Sequence, residues 1–89
     1  MAVMVTLTLK TDAATYESMH PQMLPVAREA GMLFHSGRAV GDGVAVVDFW
    51  PSEEAWNNFA TGPLAAGMQA SGIAMPDDIE ITPLLHAES

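Results

Sequence analysis

Hydrophobic and polar residues alternate near the start of the chain, over residues 3–9. One set of alternate positions holds Val3, Val5, Leu7 and Leu9, and the other set holds methionine and threonine. A period of two is typical of a β-strand that buries one of its faces. The pattern therefore predicts a first strand over residues 3–9 with a threonine-rich second face.

A helical period replaces this alternation after the first strand. Apolar and aromatic positions recur at spacings of three and four residues, at Tyr16, Met19, His20, Met23, Val26, Ala27 and Ala30. Thr11 or Asp12 can cap the helix, because a side-chain oxygen there accepts a hydrogen bond from a free N–H group of the first turn. Gly31 is expected to end the helix.

Two prolines fall inside the helical pattern, Pro21 and Pro25. Each lacks the backbone donor that its turn requires, and the residue before a proline avoids the α region. We therefore expect a break or a kink near His20. A short turn over residues 13–19 would precede it, and a second helical piece would begin at Pro21.

The middle of the chain has two β-rich runs, residues 32–40 and 44–50, on either side of Gly41-Asp42-Gly43. Glycine and aspartate tolerate the positive φ of hairpin turns, so this segment predicts a β-hairpin. The loop is either the two residues Asp42-Gly43 or all three residues. The two loops give different registers, and the sequence leaves both open.

A second helix is predicted after the hairpin. Ser52 is the expected N-cap, and Glu53 and Glu54 follow in the first turn, where acidic residues interact favourably with the helix dipole. The inner face of this helix is formed by apolar residues, namely Ala55, Trp56, Phe59 and Ala60.

The end of the chain predicts a further short helix and a last strand. Gly62-Pro63 interrupts the second helix, and a segment over residues 64–71 continues it until Gly72. The last strand is expected over residues 79–85. Pro83 places this strand at a sheet edge, because proline cannot donate to a strand ladder.

The predicted order of elements is β-α-β-β-α-β. Two right-handed crossovers then place both helices on one face of a four-stranded antiparallel sheet, which is the ferredoxin-like α+β fold. With 89 residues, the chain is expected to form a single domain over residues 1–89. The other sheet face would expose valine and leucine, so we expect a second copy to cover it in a homodimer.

Composition narrows the class of protein and of partner. Hydrophobic residues make up 49% of the chain and charged residues 16%, which is too apolar for a disordered chain. The lack of cysteine excludes disulfides, thiolate ligands and a cysteine nucleophile. A net charge of −8 disfavours nucleic acid and anionic membranes as partners, because like charges repel. Without a signal-peptide pattern or an apolar run of about 20 residues, the expected location is the cytoplasm.

His35 is the foremost candidate for chemistry, because an imidazole in an apolar strand needs a polar partner. The neighbouring strand offers Asp48. A loop at Asp42-Gly43 sets His35 opposite Trp50 and diagonal to Asp48, whereas the three-residue loop sends Asp48 to the other face. If the two residues do meet, they form an oriented general base or a hydrogen-bond donor to a phenol oxygen. The alternative is a purely structural pair.

Five other residues are candidates for ligand binding. Tyr16 and His20 lie one helical turn apart, where they form a pocket mouth or an amphipathic rim. Trp50, Trp56 and Phe59 can stack on a flat aromatic ligand or fill the core.

The sequence indicates no metal and no cofactor. The three histidines, at positions 20, 35 and 86, include no pair at the helical spacing of metal ligands. Gly41-Asp42-Gly43 is too short for a dinucleotide fingerprint, and no nucleophile motif is present, so nicotinamide and flavin are not expected. Arg38 could pair with Asp48 or with an anionic ligand, and of the two we expect the cross-strand ion pair with Asp48.

Several segments carry a resemblance to a known family. They are Gly31-Met32-Leu33-Phe34-His35, the turn Asp42-Gly43, the strand over residues 46–52, and Glu54-Ala55-Trp56 with Phe59. Through these segments the chain resembles the antibiotic-biosynthesis monooxygenase-like proteins. The resemblance extends over residues 3–86 and is most specific over residues 50–59.

The resemblance implies a ferredoxin-like fold, face-to-face dimers that form a dimeric α/β barrel, and a small pocket in each subunit between sheet and helices. Some members of the family oxidise aromatic polyketide phenols to quinones with O₂ and no cofactor. Others degrade haem, cyclise polyketides, isomerise lactones or have no known activity. The haem-degrading members use an asparagine on the first strand, and residues 3–9 contain none.

Two functions follow as alternatives. The first is a homodimeric, cofactor-independent monooxygenase that acts on a phenolic or polyketide-like aromatic compound. It would use His35 and Asp48 for proton handling, and Tyr16, His20, Trp50, Trp56 and Phe59 for substrate binding. The second is a non-catalytic protein of the same fold that binds a small ligand or takes part in assembly.

Overall fold

The computed structural model describes residues 1–76 and 78–87 of the chain. Its elements are β1 (Val3–Leu9), α1 (Ala13–Glu29), β2 (Phe34–Val40), β3 (Gly43–Trp50), α2 (Glu53–Phe59), α3 (Ala65–Ser71) and β4 (Glu80–Pro83), with a π-helical turn at Ala60–Leu64 between α2 and α3. The sheet order is β2-β3-β1-β4, and each neighbouring pair is antiparallel. The predicted ferredoxin-like fold is confirmed.

The alternation in β1 sorts its side chains as predicted. The core cluster contains Val3, Val5, Leu7 and Leu9 from this strand, and the aligned positions of β3 add Val44, Val46 and Trp50. The helices cover this face. Among residues 1–76 and 78–87, no helix is long and apolar enough to span a membrane.

The uncovered sheet face differs in composition from the expected one. The valine and leucine residues of β1 are all buried on the face that the helices cover, where they are removed from water. The uncovered face carries Met4 and threonine from β1 and Val47 from β3, together with Phe34 and Phe49, whose rings lie 5.6 Å apart. Phe34 is 54% exposed, so the main exposed apolar feature is aromatic and not aliphatic.

The break expected near His20 was wrong, because α1 runs without interruption and includes Pro21 and Pro25. Both prolines are exposed, and so is Glu17. The carbonyls of Glu17 and Pro21 lose their helical partners and can bond to water instead. The helix begins at its predicted cap, since Asp12 Oδ1 accepts a hydrogen bond from the Thr15 backbone N–H at 2.7 Å.

The hairpin loop is neither of the two predicted. Val40 pairs with Gly43, so the loop consists of Gly41 and Asp42. Gly41 has φ +55°, whereas Asp42 has negative φ, as at the two central positions of a type II′ turn. Gly43 belongs to β3, where a Cβ atom would lie 2.8 Å from the Leu9 carbonyl oxygen. This turn sets His35 directly opposite Asp48 in the ladder.

The rest of the chain follows the predicted order with different bounds. Ser52 caps α2 by accepting a hydrogen bond from the Ala55 N–H at 3.1 Å. The interruption at Gly62-Pro63 takes the form of the π-helical turn, and Gly72 ends α3 with φ +73°. β4 is shorter than predicted and lies at the sheet edge beside β1.

Candidate functional site

A small cavity lies between the inner face of the sheet and the helices, with a volume of about 60 Å³. One water needs about 10–15 Å³ by this measure, so the space holds several waters or a small chemical group. Most of its wall is apolar, from residues that include Leu7, Val46, Met19, Met23, Met32, Met68, Trp56 and Phe59. The polar part of the wall consists of Tyr16, His20, His35 and Asp48.

Three of these polar side chains form a hydrogen-bonded chain. His35 Nδ1 lies 2.6 Å from Asp48 Oδ1, and His35 Nε2 lies 2.6 Å from the Tyr16 hydroxyl. The register of β2 and β3 brings the histidine and the carboxylate together, and α1 delivers the phenol across the cavity wall. Asp48 is 5% exposed, so its charge is removed from water and depends on this partner.

The chemistry of the partners fixes the direction of these bonds. A carboxylate only accepts hydrogen bonds, so Nδ1 of His35 carries a proton and its N–H group donates a hydrogen bond to Asp48. In the neutral imidazole, Nε2 is then an acceptor, and the Tyr16 hydroxyl donates to it. The arrangement orients His35 as a base whose imidazolium form Asp48 would stabilise.

Burial raises the pKa of Tyr16 to about 12, and the negative charges of Asp48 and, to a smaller extent, Glu17 act in the same direction. A buried phenolate would lack water and would lie near another anion. Tyr16 therefore keeps its proton at neutral pH and acts as a hydrogen-bond donor.

His20 completes the polar wall. Its ring stacks 5.1 Å from His35 and 5.8 Å from Tyr16, with interplanar angles of 19° in both cases. Its Nε2 atom is buried and has no hydrogen-bond partner among residues 1–76 and 78–87. An unpaired buried polar atom is unfavourable, so it indicates a place for a ligand or water group.

Six of the seven predicted site residues line the cavity, namely Tyr16, His20, His35, Asp48, Trp56 and Phe59. Trp50 does not. It is fully buried beside the cavity wall, with its ring 5.9 Å from Trp56 and 5.1 Å from Phe59. The roles assigned to all seven residues stay predictions. The ion pair expected between Arg38 and Asp48 was wrong, because Arg38 opposes Ala45 on the other face.

Gly37 is the residue of this site that sequence reasoning missed. It lies in β2, and a Cβ atom there would approach the Tyr16 hydroxyl to 2.7 Å. Only glycine leaves this space for the phenol. The available signal was a glycine inside a strand, which often marks the close approach of another group.

Comparisons with solved structures agree with this architecture. A cofactor-independent oxygenase, SnoaB from Streptomyces nogalater, solved as a point mutant, superposes with a TM-score of 0.73 at 11% identity, covering 97% of this chain and 95% of the other. A protein from Caulobacter crescentus, provisionally described as an antibiotic biosynthesis monooxygenase, gives a TM-score of 0.66 at 20% identity and coverages of 96% and 91%. This chain has the antibiotic biosynthesis monooxygenase-like fold.

A third structure with this fold is the NE2512 protein from Nitrosomonas europaea, described as being of unknown function. It has 26% identity, a TM-score of 0.68, and coverages of 99% of this chain and 91% of the other. No family model matches the chain, and no curated protein matches it either. The similarity to these solved structures supports the resemblance found in the sequence.

Proposed function

We propose that this protein is a homodimeric, cofactor-independent monooxygenase that acts on a small phenolic compound. The observation that carries the proposal is the His35–Asp48 pair, with a 2.6 Å hydrogen bond, in the wall of an otherwise apolar cavity. Among similar structures, SnoaB is described as a cofactor-independent oxygenase, which agrees with this reaction class.

The reaction needs a base and a dry site. A phenolate gives an electron to O₂ far more readily than a phenol does, so the phenol proton must be removed first. His35 is the base that ends this proton transfer as an imidazolium, which Asp48 stabilises. One oxygen atom then replaces hydrogen at a ring carbon and becomes an oxygen substituent of the quinone. The C–H bond at that carbon and the phenol O–H bond break, and both hydrogens leave with the second oxygen atom as water, so the substrate supplies all four electrons that O₂ takes up. The apolar wall excludes solvent from the reactive intermediates.

Cavity size favours a single-ring substrate. The cavity measures about 60 Å³, whereas an engineered cavity of about 150 Å³ binds benzene, so even one ring requires some side-chain movement. Met19, Met23, Met32 and Met68 surround the space, and flexible thioether chains repack readily. We therefore expect hydroquinones to react faster than three-ring hydroxyanthrones.

The uncovered sheet face supports the homodimer. Phe34 is 54% exposed and contacts Phe49, and an aromatic pair of this kind favours contact with a second sheet over contact with water. Sedimentation at micromolar concentration is expected to give a dimer. A wild-type protein that sediments as a monomer would contradict this part of the proposal.

Oxygen uptake tests the activity. A panel of hydroquinones and hydroxyanthrones is compared between the wild type, His35→Ala and His35→Gln, with thermal melting to confirm that each variant folds. We expect kcat/KM to fall about 10²- to 10⁴-fold in both variants, which is the usual contribution of a general base. Ser36→Ala is the matched control, because Ser36 is exposed on the same strand. Equal rates in the wild type and the His35 variants would remove the assigned role.

The small cavity also favours a second candidate function, a protein of the same fold that binds a small ligand without turnover. Binding of the hydroquinones without oxygen uptake at any pH would support this function and contradict the first.

A further inference from the structure

Both ring nitrogens of His35 are occupied by protein partners. Nδ1 bonds to Asp48 Oδ1 and Nε2 bonds to the Tyr16 hydroxyl, each at 2.6 Å. A ligand therefore meets no free nitrogen on His35. If this histidine is the base, the proton must reach it through the group that occupies Nε2, which is Tyr16.

The Tyr16 oxygen has the capacity for a further hydrogen bond. Its proton points to His35, so its remaining lone pairs can accept a proton donor from the cavity. Tyr16 is 8% exposed and lines the cavity, so that donor belongs to a ligand or a trapped water.

His20 provides an independent sign of a ligand at the same place. Its Nε2 atom is buried and without a partner among the described residues, although its ring lies within 6 Å of both Tyr16 and His35. A ligand hydroxyl has one donor and two acceptor sites, so it can donate to Tyr16 and accept from His20.

Gly37 sets the position of the phenol. A Cβ atom at Gly37 would lie 2.7 Å from the Tyr16 hydroxyl oxygen and 3.0 Å from Cζ. Both distances are too short for a carbon contact, so an alanine would push the phenol away from His35. The backbone of Gly37 lies in a regular strand without positive φ, which separates this steric effect from backbone strain.

We propose that Tyr16 is the catalytic residue that accepts the ligand's hydroxyl proton and relays its own proton to His35, and that Gly37 is the positioning residue that allows this contact. The inference rests on the proposed function, because it uses His35 as the final base. It adds the identity of the group that touches the substrate, together with a substrate class: small phenols whose acidic hydroxyl reaches the Tyr16–His20 wall.

The proton transfer balances in one concerted step. The O–H bond of the ligand breaks, and its proton forms a new bond to the Tyr16 oxygen. The original Tyr16 proton moves to His35 Nε2. The products are a ligand phenolate and an imidazolium held by Asp48, while Tyr16 is neutral before and after the step. Its raised pKa, about 12, is consistent with a relay that never accumulates as phenolate.

The test measures ionisation of a bound phenol and needs no oxidation. The protein is mixed under argon with 4-nitrophenol, whose phenolate absorbs visible light, at a pH where the free dye is protonated. Equilibrium dialysis gives the amount bound, and absorbance gives the ionised fraction. We expect the wild type to bind the dye as phenolate. Tyr16→Phe is expected to reduce the ionised fraction of the bound dye at least tenfold.

Gly37→Ala is expected to reduce the ionised fraction similarly, although it removes no polar group. Gly62→Ala is the matched control, because a Cβ atom at Gly62 would meet no described atom within 4 Å. The double variant Tyr16→Phe/Gly37→Ala is expected to resemble Tyr16→Phe, since both changes act on the same contact. Circular dichroism melts confirm that the variants fold.

Each result decides the inference. Retention of the ionised dye in Tyr16→Phe overturns it, because His35 then reaches the ligand directly. A wild type that binds no dye, or binds it only protonated, also overturns it. Loss of ionisation in Tyr16→Phe, with no oxygen uptake on any phenol, supports the relay and rejects the monooxygenase. Oxygen uptake that is equal in the wild type and Tyr16→Phe rejects the relay and keeps the monooxygenase.

Discussion

Asp48 and Trp50 lie on the same face of β3, with one residue between them, yet their side chains have different surroundings. Asp48 faces His35 across the strand pair and lines the cavity. Trp50 pairs with Val3 of β1, the neighbouring strand on the opposite edge of β3, and its ring packs against Trp56 and Phe59. The first region leaves space and spare hydrogen-bonding capacity, whereas the second fills its space with rings.

Both regions contain a polar atom without a protein partner in the described part of the chain, and the meaning differs. The free Nε2 of His20 borders a cavity, so a ligand can satisfy it. The free Nε1 of Trp50 belongs to a fully buried side chain that packs against Trp56 and Phe59 and does not line the cavity. An unpaired buried atom therefore points to binding only where adjoining space exists.

The largest expected effect in this comparison is on stability. Trp50→Ala removes a fully buried indole from the packed cluster, so we expect the free energy of unfolding to fall by about 3–5 kcal/mol. Chemical denaturation measures the change. The ionised fraction of bound 4-nitrophenol is expected to stay at its wild-type value in any variant protein that remains folded, because the polar wall is untouched.

Trp50→Phe is the control for this change. It keeps a ring in the cluster and removes the unpaired N–H group, whose burial without a partner costs about 1–3 kcal/mol. We expect it to destabilise the protein much less than Trp50→Ala does. Equal destabilisation by both variants would show that the indole nitrogen has a role, and the contrast between the two regions would fail.

The fold was predictable because its signals are local. The alternation in β1, the Asp12 and Ser52 caps and the turn residues after β2 each depend on a few adjacent side chains, and together they give the order β-α-β-β-α-β. The helix break at His20 was predicted from local proline rules. It did not occur, because both prolines lie on the exposed side of α1.

The site was predictable as a set of residues but not as a geometry. The hairpin register depends on which glycine takes positive φ, and in the structure it is Gly41. Gly43 lies in β3, where a Cβ atom would come within 2.8 Å of the Leu9 carbonyl oxygen on another strand, and a sequence pattern around the turn does not contain that constraint. The bond from Tyr16 to His35 joins residues 19 positions apart, on different elements. No local pattern encodes such a contact, although the glycine at position 37 marks it.

The smallest expected effect concerns the titration of Tyr16, and it tests how closed the polar wall is. Tyr16 is the only tyrosine of the sequence, so ultraviolet absorbance follows its ionisation alone. The pKa is raised from 10.0 to about 12, first by burial and then by Asp48. We expect the midpoint to lie near 12 in the folded protein and to drop towards the ordinary value of about 10 in urea.

The same shift gives a stability effect with a definite sign. Above pH 10 the unfolded chain loses the tyrosine proton while the folded protein keeps it, so ionisation favours the unfolded state. The free energy of unfolding that Tyr16 contributes through its raised pKa is thus fully present below pH 10 and disappears as pH rises towards 12. Between pH 10 and 12, the free energy of unfolding should therefore fall more steeply in the wild type than in Tyr16→Phe, as measured by chemical denaturation. A Tyr16 midpoint at its ordinary value would mean that water reaches the phenol freely, and the wall would then be as open as the solvent-exposed surface.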